Sequence, residues 1–346
     1  MPKPEAGPEP PGSEPGAPAS GPRVLVTGGS GVLGRALVAH LIAQGWQVRA
    51  LTRSARSAEA LRRAGAEPVT GHLLDGTSLL RAADGCELVF NVAGINAYCE
   101  ADTRALFEVN VRGALLAFRA AQRAGVRRFV HTSSAVTIGE ARGSVGNEAS
   151  PHRGSFLTEY ERSKHEAELA LQSEPGDLER VFVNPSSVQG AGRIEGTGRL
   201  FLDIASGRHR LLVPGRLDLV DIEDCAVGHR LAAEHGMPGQ RYLLSGATLD
   251  MRDLVELLSR LMGRAIRPIW VHPAWLPAIG GLSGAAAAMV GRRPRLCPET
   301  VRNLIHGAAY DGSRAERELG LAYRPPESTF RTLIDWYRAQ GWLAEP

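Results

Sequence analysis

The stretch Val24-Leu-Val-Thr-Gly-Gly-Ser-Gly-Val-Leu-Gly34 decides the fold. Val24 to Thr27 reads as a short buried strand, and Val32 to Ala43 as an apolar helix that starts almost at once. Gly28 permits the sharp turn between them, Gly31 lets the backbone approach a pyrophosphate closely, and Gly34 lets the helix pack on the strand. Val32 and Leu33 open the helix, where unspent N–H groups and a partial positive charge favour an anion. A glycine pattern alone is weak evidence. Its place between a strand and a helix gives it meaning.

Outward from this turn, strands and helices alternate across short gaps. Strands are expected at Gln47–Thr52, Glu67–Thr70, Glu87–Val92, Arg128–Thr132 and Val181–Asn184. Helices are expected at Ala55–Ala64, Ser78–Ala83, Thr103–Ala124 and Leu157–Leu171. That alternation predicts an α/β fold with a doubly wound parallel sheet and right-handed crossovers. Ligands in such sheets bind beyond the carboxyl ends of the strands, which selects Gly28, Arg53, His72, Ala93, Ser134 and Asn184.

Two of these places carry chemistry. The second strand ends at Arg53, with Arg56 close behind and no carboxylate between Gln47 and Ala58. An acidic residue here would hold the ribose 2′-hydroxyl of NAD, whereas an arginine accommodates a 2′-phosphate, so NADP is expected ahead of NAD. The fifth strand ends in Thr132-Ser133-Ser134, and Tyr160 and Lys164 follow on a predicted helix. Their spacing puts both on one face, about 6 Å apart along the axis. A lysine cation and the positive nicotinamide would lower the tyrosine pKa and favour its phenolate. A serine hydroxyl beside them would bind a substrate oxygen. The trio can move a proton on and off a C–O group while a hydride moves on the carbon.

Composition bounds the alternatives. The chain has 346 residues, enough for one large domain or two coupled ones, and a formal net charge of +3. That charge and the scarcity of aromatics predict no nucleic-acid partner. The cysteines Cys86, Cys99, Cys225 and Cys297 form no close pair and have no histidine cluster beside them. Buried free thiols in a reducing cytoplasm are therefore expected, with no disulfide and no metal site. Residues 1–22 are rich in Pro and Gly without an apolar core, which predicts a disordered tail and no secretory signal. Ala274 to Val290 is uncharged but full of glycine and alanine, which fits a small-residue helix walling a pocket better than a membrane contact. Residues 23–184 would form the dinucleotide-binding domain and 185–346 the substrate-binding part, with about 217–244 returning to the first sheet. Arg193, Arg199 and Arg208 lie in that second part, where they could meet an anionic substrate.

The motifs together resemble the extended short-chain dehydrogenase/reductases, the NAD-dependent epimerase/dehydratase family, in its dihydroflavonol-reductase-like and 3β-hydroxysteroid-dehydrogenase-like branches. The resemblance runs from about Arg23 to Trp342. It rests on Thr27 to Gly34, Asn91-Val-Ala-Gly94, Asn110, Thr132-Ser-Ser-Ala135, Tyr160-Glu-Arg-Ser-Lys164, Asn184-Pro185 and Ser313 to Gly320. It implies a Rossmann-type sheet with a smaller C-terminal α/β part. It also implies cofactor contacts from Gly28, Gly31, Val32, Leu33, Gly34, Leu73, Val92, Ala93, Gly94, Asn110, Asn184 and Pro185, with Lys164 on the nicotinamide ribose. Tyr160 would be the acid/base and Ser134 the substrate-oxygen ligand. One departure is Gly71-His72-Leu73, where the family has an aspartate for the adenine amino group. A homodimer through the Thr103–Ala124 and Leu157–Leu171 helices is implied by the same resemblance. The implied activity is hydride transfer between NADP(H) and a carbonyl or secondary alcohol of a small metabolite. The alternatives are a nucleotide-sugar epimerase or dehydratase with no net cofactor change, and a non-catalytic dinucleotide-sensing protein.

Overall fold

The structure is a computed structural model that describes residues 21–99, 102–281 and 297–344. The expected tail, up to residue 20, and the 282–290 part of the uncharged segment lie outside the described residues.

Strands β1 (Arg23–Thr27), β2 (Gln47–Thr52), β3 (Glu67–Thr70), β4 (Leu88–Asn91), β5 (Arg128–Thr132) and β6 (Glu179–Pro185) form the sheet that the alternation predicts. Between them run α1 (Val32–Ala43), α2 (Ala55–Arg63), α3 (Gly76–Ala83), α4 (Arg104–Phe107), α5 (Gly113–Arg123) and α6 (Glu159–Ser173). A seventh strand, β10 (Arg241–Leu244), pairs with β6, giving the order β10-β6-β5-β4-β1-β2-β3. Every pairing is parallel. Both faces are buried, so the strands read as continuous apolar runs. Alternation along β1 sends Val24 and Val26 into one core layer, with Leu37, Phe90 and Tyr242, and Leu25 into the other, with Phe118, Phe129 and Phe182. The strand order reverses at β1, which lies between β2 and β4, and the crevice above their carboxyl ends is where such sheets take ligands.

After β6 the chain adds β7 (Ser187–Gln189), α7 (Thr197–Ala205), β8 (Leu211–Leu212), β9 (Arg216–Asp221), α8 (Ile222–His235), β11 (Ala247–Asp250), α9 (Met251–Met262) and β12 (Ile269–Trp270). Helices α10 (Pro298–His306), α11 (Ser313–Leu319) and α12 (Pro326–Ala339) complete the described residues. Strands β11, β9 and β7 make a small sheet. Over it Phe201, Leu254, Leu258, Phe330 and Leu333 form a separate core. The return to the first sheet is made by β10 together with α8, which packs on α1. Residues 216–221 stay in the small sheet instead, because β9 pairs with β7 and β11.

Two expectations are corrected. The helix expected over Thr103–Ala124 is interrupted by a π-helical turn at Glu108–Arg112. The cysteines are not all free: Cys99 and Cys297 form a disulfide with Cα atoms 5.8 Å apart, while Cys86 and Cys225 are buried thiols. The two bonded residues are 198 apart in sequence and meet only through the tertiary fold, so spacing held no sign of the pair. Among the described residues no helix is long and apolar enough to cross a membrane.

Candidate active site

The glycine turn is built around two close approaches. Gly28 has φ +70°, and a Cβ there would lie 2.7 Å from the Ala93 nitrogen. A Cβ at Gly34 would lie 2.0 Å from the Gly28 carbonyl oxygen. Gly31 caps α1 with no side-chain hydrogen bond, and the first turn holds no acidic residue. The N–H groups of Val32 and Leu33 are thus left for a ligand at the positive end of the helix. Thr27 Oγ1 donates to Asn91 Oδ1 at 2.7 Å and accepts the Ala93 N–H at 3.3 Å, which ties the turn to the loop after β4. Gly29 was not singled out from sequence. It is buried, and a Cβ there would press on Ala50 at 3.1 Å.

At the far end of the crevice Arg53 and Arg56 are exposed, and neither makes an ion pair among the described residues. The His72 ring is exposed, and its Nδ1 accepts the Leu74 N–H at 3.1 Å. The imidazole thus caps its own loop, as an aspartate would. Leu73 is buried against Gly113, where a Cβ would lie 2.7 Å from Leu73 Cδ2.

Ser134, Tyr160 and Lys164 are all buried at the carboxyl edge of the sheet. Thr158 caps α6 by accepting the Glu161 N–H at 3.0 Å, which fixes where the helix starts and so which face carries Tyr160 and Lys164. The Lys164 ammonium donates to the Thr132 carbonyl at 2.8 Å. Asn110 sits in the π-turn and bonds on two sides. Its Oδ1 accepts the Ile95 N–H at 2.8 Å, and its Nδ2 donates to Ser163 Oγ at 2.9 Å. Such turns often mark functional sites. This one joins the loop after β4 to α6, a demand from tertiary contacts that helical periodicity could not reveal. Gly94 forms the floor between them: a Cβ there would lie 3.2 Å from Asn110 Oδ1 and 3.3 Å from Lys164 Nζ.

The electrostatics of the ligand-free site are set by burial. Burial pushes the Tyr160 phenol up, while a hydrogen bond with Ser134 and the positive charge of Arg193 act against it. Lys164 is turned to Thr132, so in the ligand-free protein the phenol stays protonated at neutral pH. Burial also pushes Lys164 down to about 8. The fold therefore carries the cost of a buried ammonium below pH 8, and that cost fades as pH rises toward the ordinary lysine value. Lys164→Met is accordingly expected to raise the melting temperature of the ligand-free protein at pH 7, by relief of up to about 3 kcal/mol. Its advantage over wild type should shrink above pH 8 in thermal scans. A mutant no more stable at pH 7 would mean that the cation is better solvated than this.

Asn184 departs from its expected place. Its side chain is fully buried, and Nδ2 donates to Glu168 Oε1 at 2.5 Å and Thr137 Oγ1 at 2.9 Å. It braces α6 against β6 instead of facing the crevice, and Pro185 beside it is buried too. The second half of the chain supplies Arg193, whose Nε is buried without a hydrogen-bond partner. Arg199 and Arg208 both pair with Asp203, at 3.0 and 3.2 Å, and one carboxylate offsets part of their charge. Tyr98, unmarked in the sequence reading, lies with its ring centroid 5.8 Å from that of Tyr160.

The crevice at the glycine turn leads to a buried Ser-Tyr-Lys set. The model of the NAD dependent epimerase/dehydratase family matches residues 24–245, and the chain belongs to that family. It is an enzyme of this NAD(P)-dependent oxidoreductase and epimerase group. Sterol demethylase protein B of Methylococcus capsulatus is 34% identical over 92% of this chain and 99% of its own. The 3 beta-hydroxysteroid dehydrogenase/Delta 5-->4-isomerase of Mycobacterium tuberculosis (strain H37Rv) is 30% identical over 90% of this chain and 89% of its own. Among solved structures, gox2253 superposes with a TM-score of 0.82 at 30% identity, covering 93% of this chain and 99% of that one.

Proposed function

We propose that the chain is an NADP-dependent oxidoreductase that interconverts a carbonyl and a secondary alcohol of a small, lipophilic metabolite. The observation that carries the reading is a buried Tyr160 one helical turn from a buried Lys164, with Ser134 buried at the same carboxyl edge of the sheet. The cofactor, when bound, supplies or accepts the hydride. In reduction the Tyr160 phenol donates a proton to the substrate oxygen, and Ser134 orients that oxygen. Lys164 and Asn110 frame the ribose side of the floor at Gly94. Two relatives named for sterol or steroid chemistry support a lipophilic substrate, and the pairing of Arg199 and Arg208 with Asp203 leaves less positive charge for a nucleotide sugar.

Nicotinamide-fluorescence titration is the first test. Tight NADPH binding with weaker NADH binding is expected. Arg53→Ala should weaken NADPH binding by about tenfold, the scale of one charge-assisted hydrogen bond, and leave NADH unchanged. A wild type that prefers NADH would sink the assignment of Arg53. Net NADPH consumption at 340 nm with a ketosteroid panel supports the oxidoreductase reading. Turnover of a nucleotide sugar with no net NADPH change would replace it.

A further inference from the structure

Helix α10 reaches across the molecule to two pieces of the active site at once. Cys297, at its N-terminus, is disulfide-bonded to Cys99. Glu299, in its first turn, accepts the Cys99 N–H at 2.8 Å through Oε2 and the Glu159 N–H at 2.9 Å through Oε1. Arg302 Nε donates to the Leu157 carbonyl at 3.0 Å. Glu159 is the first residue of α6 and immediately precedes Tyr160. Cys99 immediately follows Tyr98, whose ring packs beside Tyr160. Cys99 also has φ +63°, the only non-glycine residue with positive φ among those described. One carboxylate and one disulfide thus hold the Tyr98 loop and the start of the Tyr160 helix to the same support.

We propose that Cys99–Cys297 is a thiol-redox site acting on the active site, with Glu299 as the positioning residue that transmits its state to Tyr98 and Tyr160. The effect on catalysis rests on the reading of Tyr160 as the proton donor. A dithiol reductant would open the clamp by thiol–disulfide exchange. One of its thiolates attacks the half-buried Cys99 Sγ, because Cys297 is only 5% exposed. The Cys99–Cys297 bond breaks, and Cys297 leaves as a thiolate and takes a proton. The second thiol of the reductant then attacks the mixed disulfide and releases Cys99 as a thiol. Two electrons have passed to the protein, and the reductant leaves as its own disulfide. Without the disulfide, the two hydrogen bonds from Glu299 to the Cys99 and Glu159 N–H groups lose their support and weaken, so the Tyr98 loop and the start of α6 loosen without the fold coming apart.

The test uses the full chain and needs no known substrate. Without reductant, iodoacetamide after denaturation should label only Cys86 and Cys225. After dithiothreitol it should label all four cysteines. Hydrogen exchange in peptides covering 92–99 and 157–164 should then quicken by on the order of tenfold, as expected when a local tether is lost. Glu299→Ala and Cys297→Ser should each give the same faster exchange without reductant, Glu299→Ala with the thiol count unchanged, and NADPH affinity should stay as it was. For any ketone that wild type reduces, dithiothreitol should lower kcat more than it raises KM. If no ketone is reduced, the functional reading fails, while thiol counts and exchange still decide the clamp. Four labelled cysteines in air-oxidised protein would overturn the proposal, and so would exchange unmoved by reduction. The sulfur atoms and a Glu299 oxygen lie within 4.8 Å of one another. A reduced protein that gains protection with Zn²⁺, in a chain that never forms the disulfide, would make this a metal site and overturn the redox role.

Discussion

Tyr160→Phe is expected to lower kcat by about 10²- to 10⁴-fold, the usual worth of a positioned general acid. The mutant should stay folded. Phenylalanine keeps the ring against Tyr98, and the lost hydroxyl costs no more than about 1 kcal/mol, the scale of one hydrogen bond. NADPH titration should be largely unchanged, because the cradle at Gly28, Gly31 and Gly34 is built on α1 and not on α6. A fall in kcat and kcat/KM together, with binding intact, marks a group that acts in the transition state. The pH dependence has a defined sign. Burial raises the phenol pKa, so reduction should not lose its proton donor between pH 6 and 8. Full activity in Tyr160→Phe would remove the residue from the reaction and turn attention to Tyr98, the neighbouring phenol.

The parts of this site that were legible in the sequence are those whose physics is local. The strand, the turn and the helix at Val24–Gly34 are adjacent in the chain, and the i, i+4 spacing of Tyr160 and Lys164 holds on any helix. What escaped depends on contacts between distant segments. The π-turn at Asn110 answers to Ile95 and Ser163, which no helical period encodes. The disulfide and Glu299 join residues 198, 200 and 140 positions apart. In the ligand-free protein burial raises the pKa of Tyr160, and spacing along α6 says nothing of where the lysine ammonium points. That ammonium goes to the Thr132 carbonyl. Asn184 was placed in the crevice by its motif, yet buried Glu168 pulls it inward. Motifs named the candidate residues, and tertiary hydrogen bonds decide which of those side chains face the crevice.

Gly34→Ala should abolish tight cofactor binding, and Gly31→Ala separates the reason. A methyl at Gly34 would sit 2.0 Å from the Gly28 carbonyl oxygen and 2.9 Å from Gly29 Cα. Both neighbours are backbone, so neither can rotate away. Either α1 withdraws from the turn or the turn opens. Such overpacking costs about 1–3 kcal/mol, and it is borne by the segment that presents the N–H groups. NADPH affinity should fall by about 10- to 100-fold or more, since each 1.4 kcal/mol is a factor of ten. The melting temperature of the ligand-free protein should fall with it. At Gly31 the methyl meets only the Gly28 oxygen, at 3.2 Å, and the residue is exposed. Gly31→Ala should therefore leave thermal stability nearly unchanged while it weakens NADPH binding, because its methyl stands where the pyrophosphate would approach. Loss of stability and binding together at Gly34, and of binding alone at Gly31, would distinguish a glycine needed for packing from one needed for the ligand. Normal NADPH affinity in Gly31→Ala would mean that the anion does not rest on the start of α1.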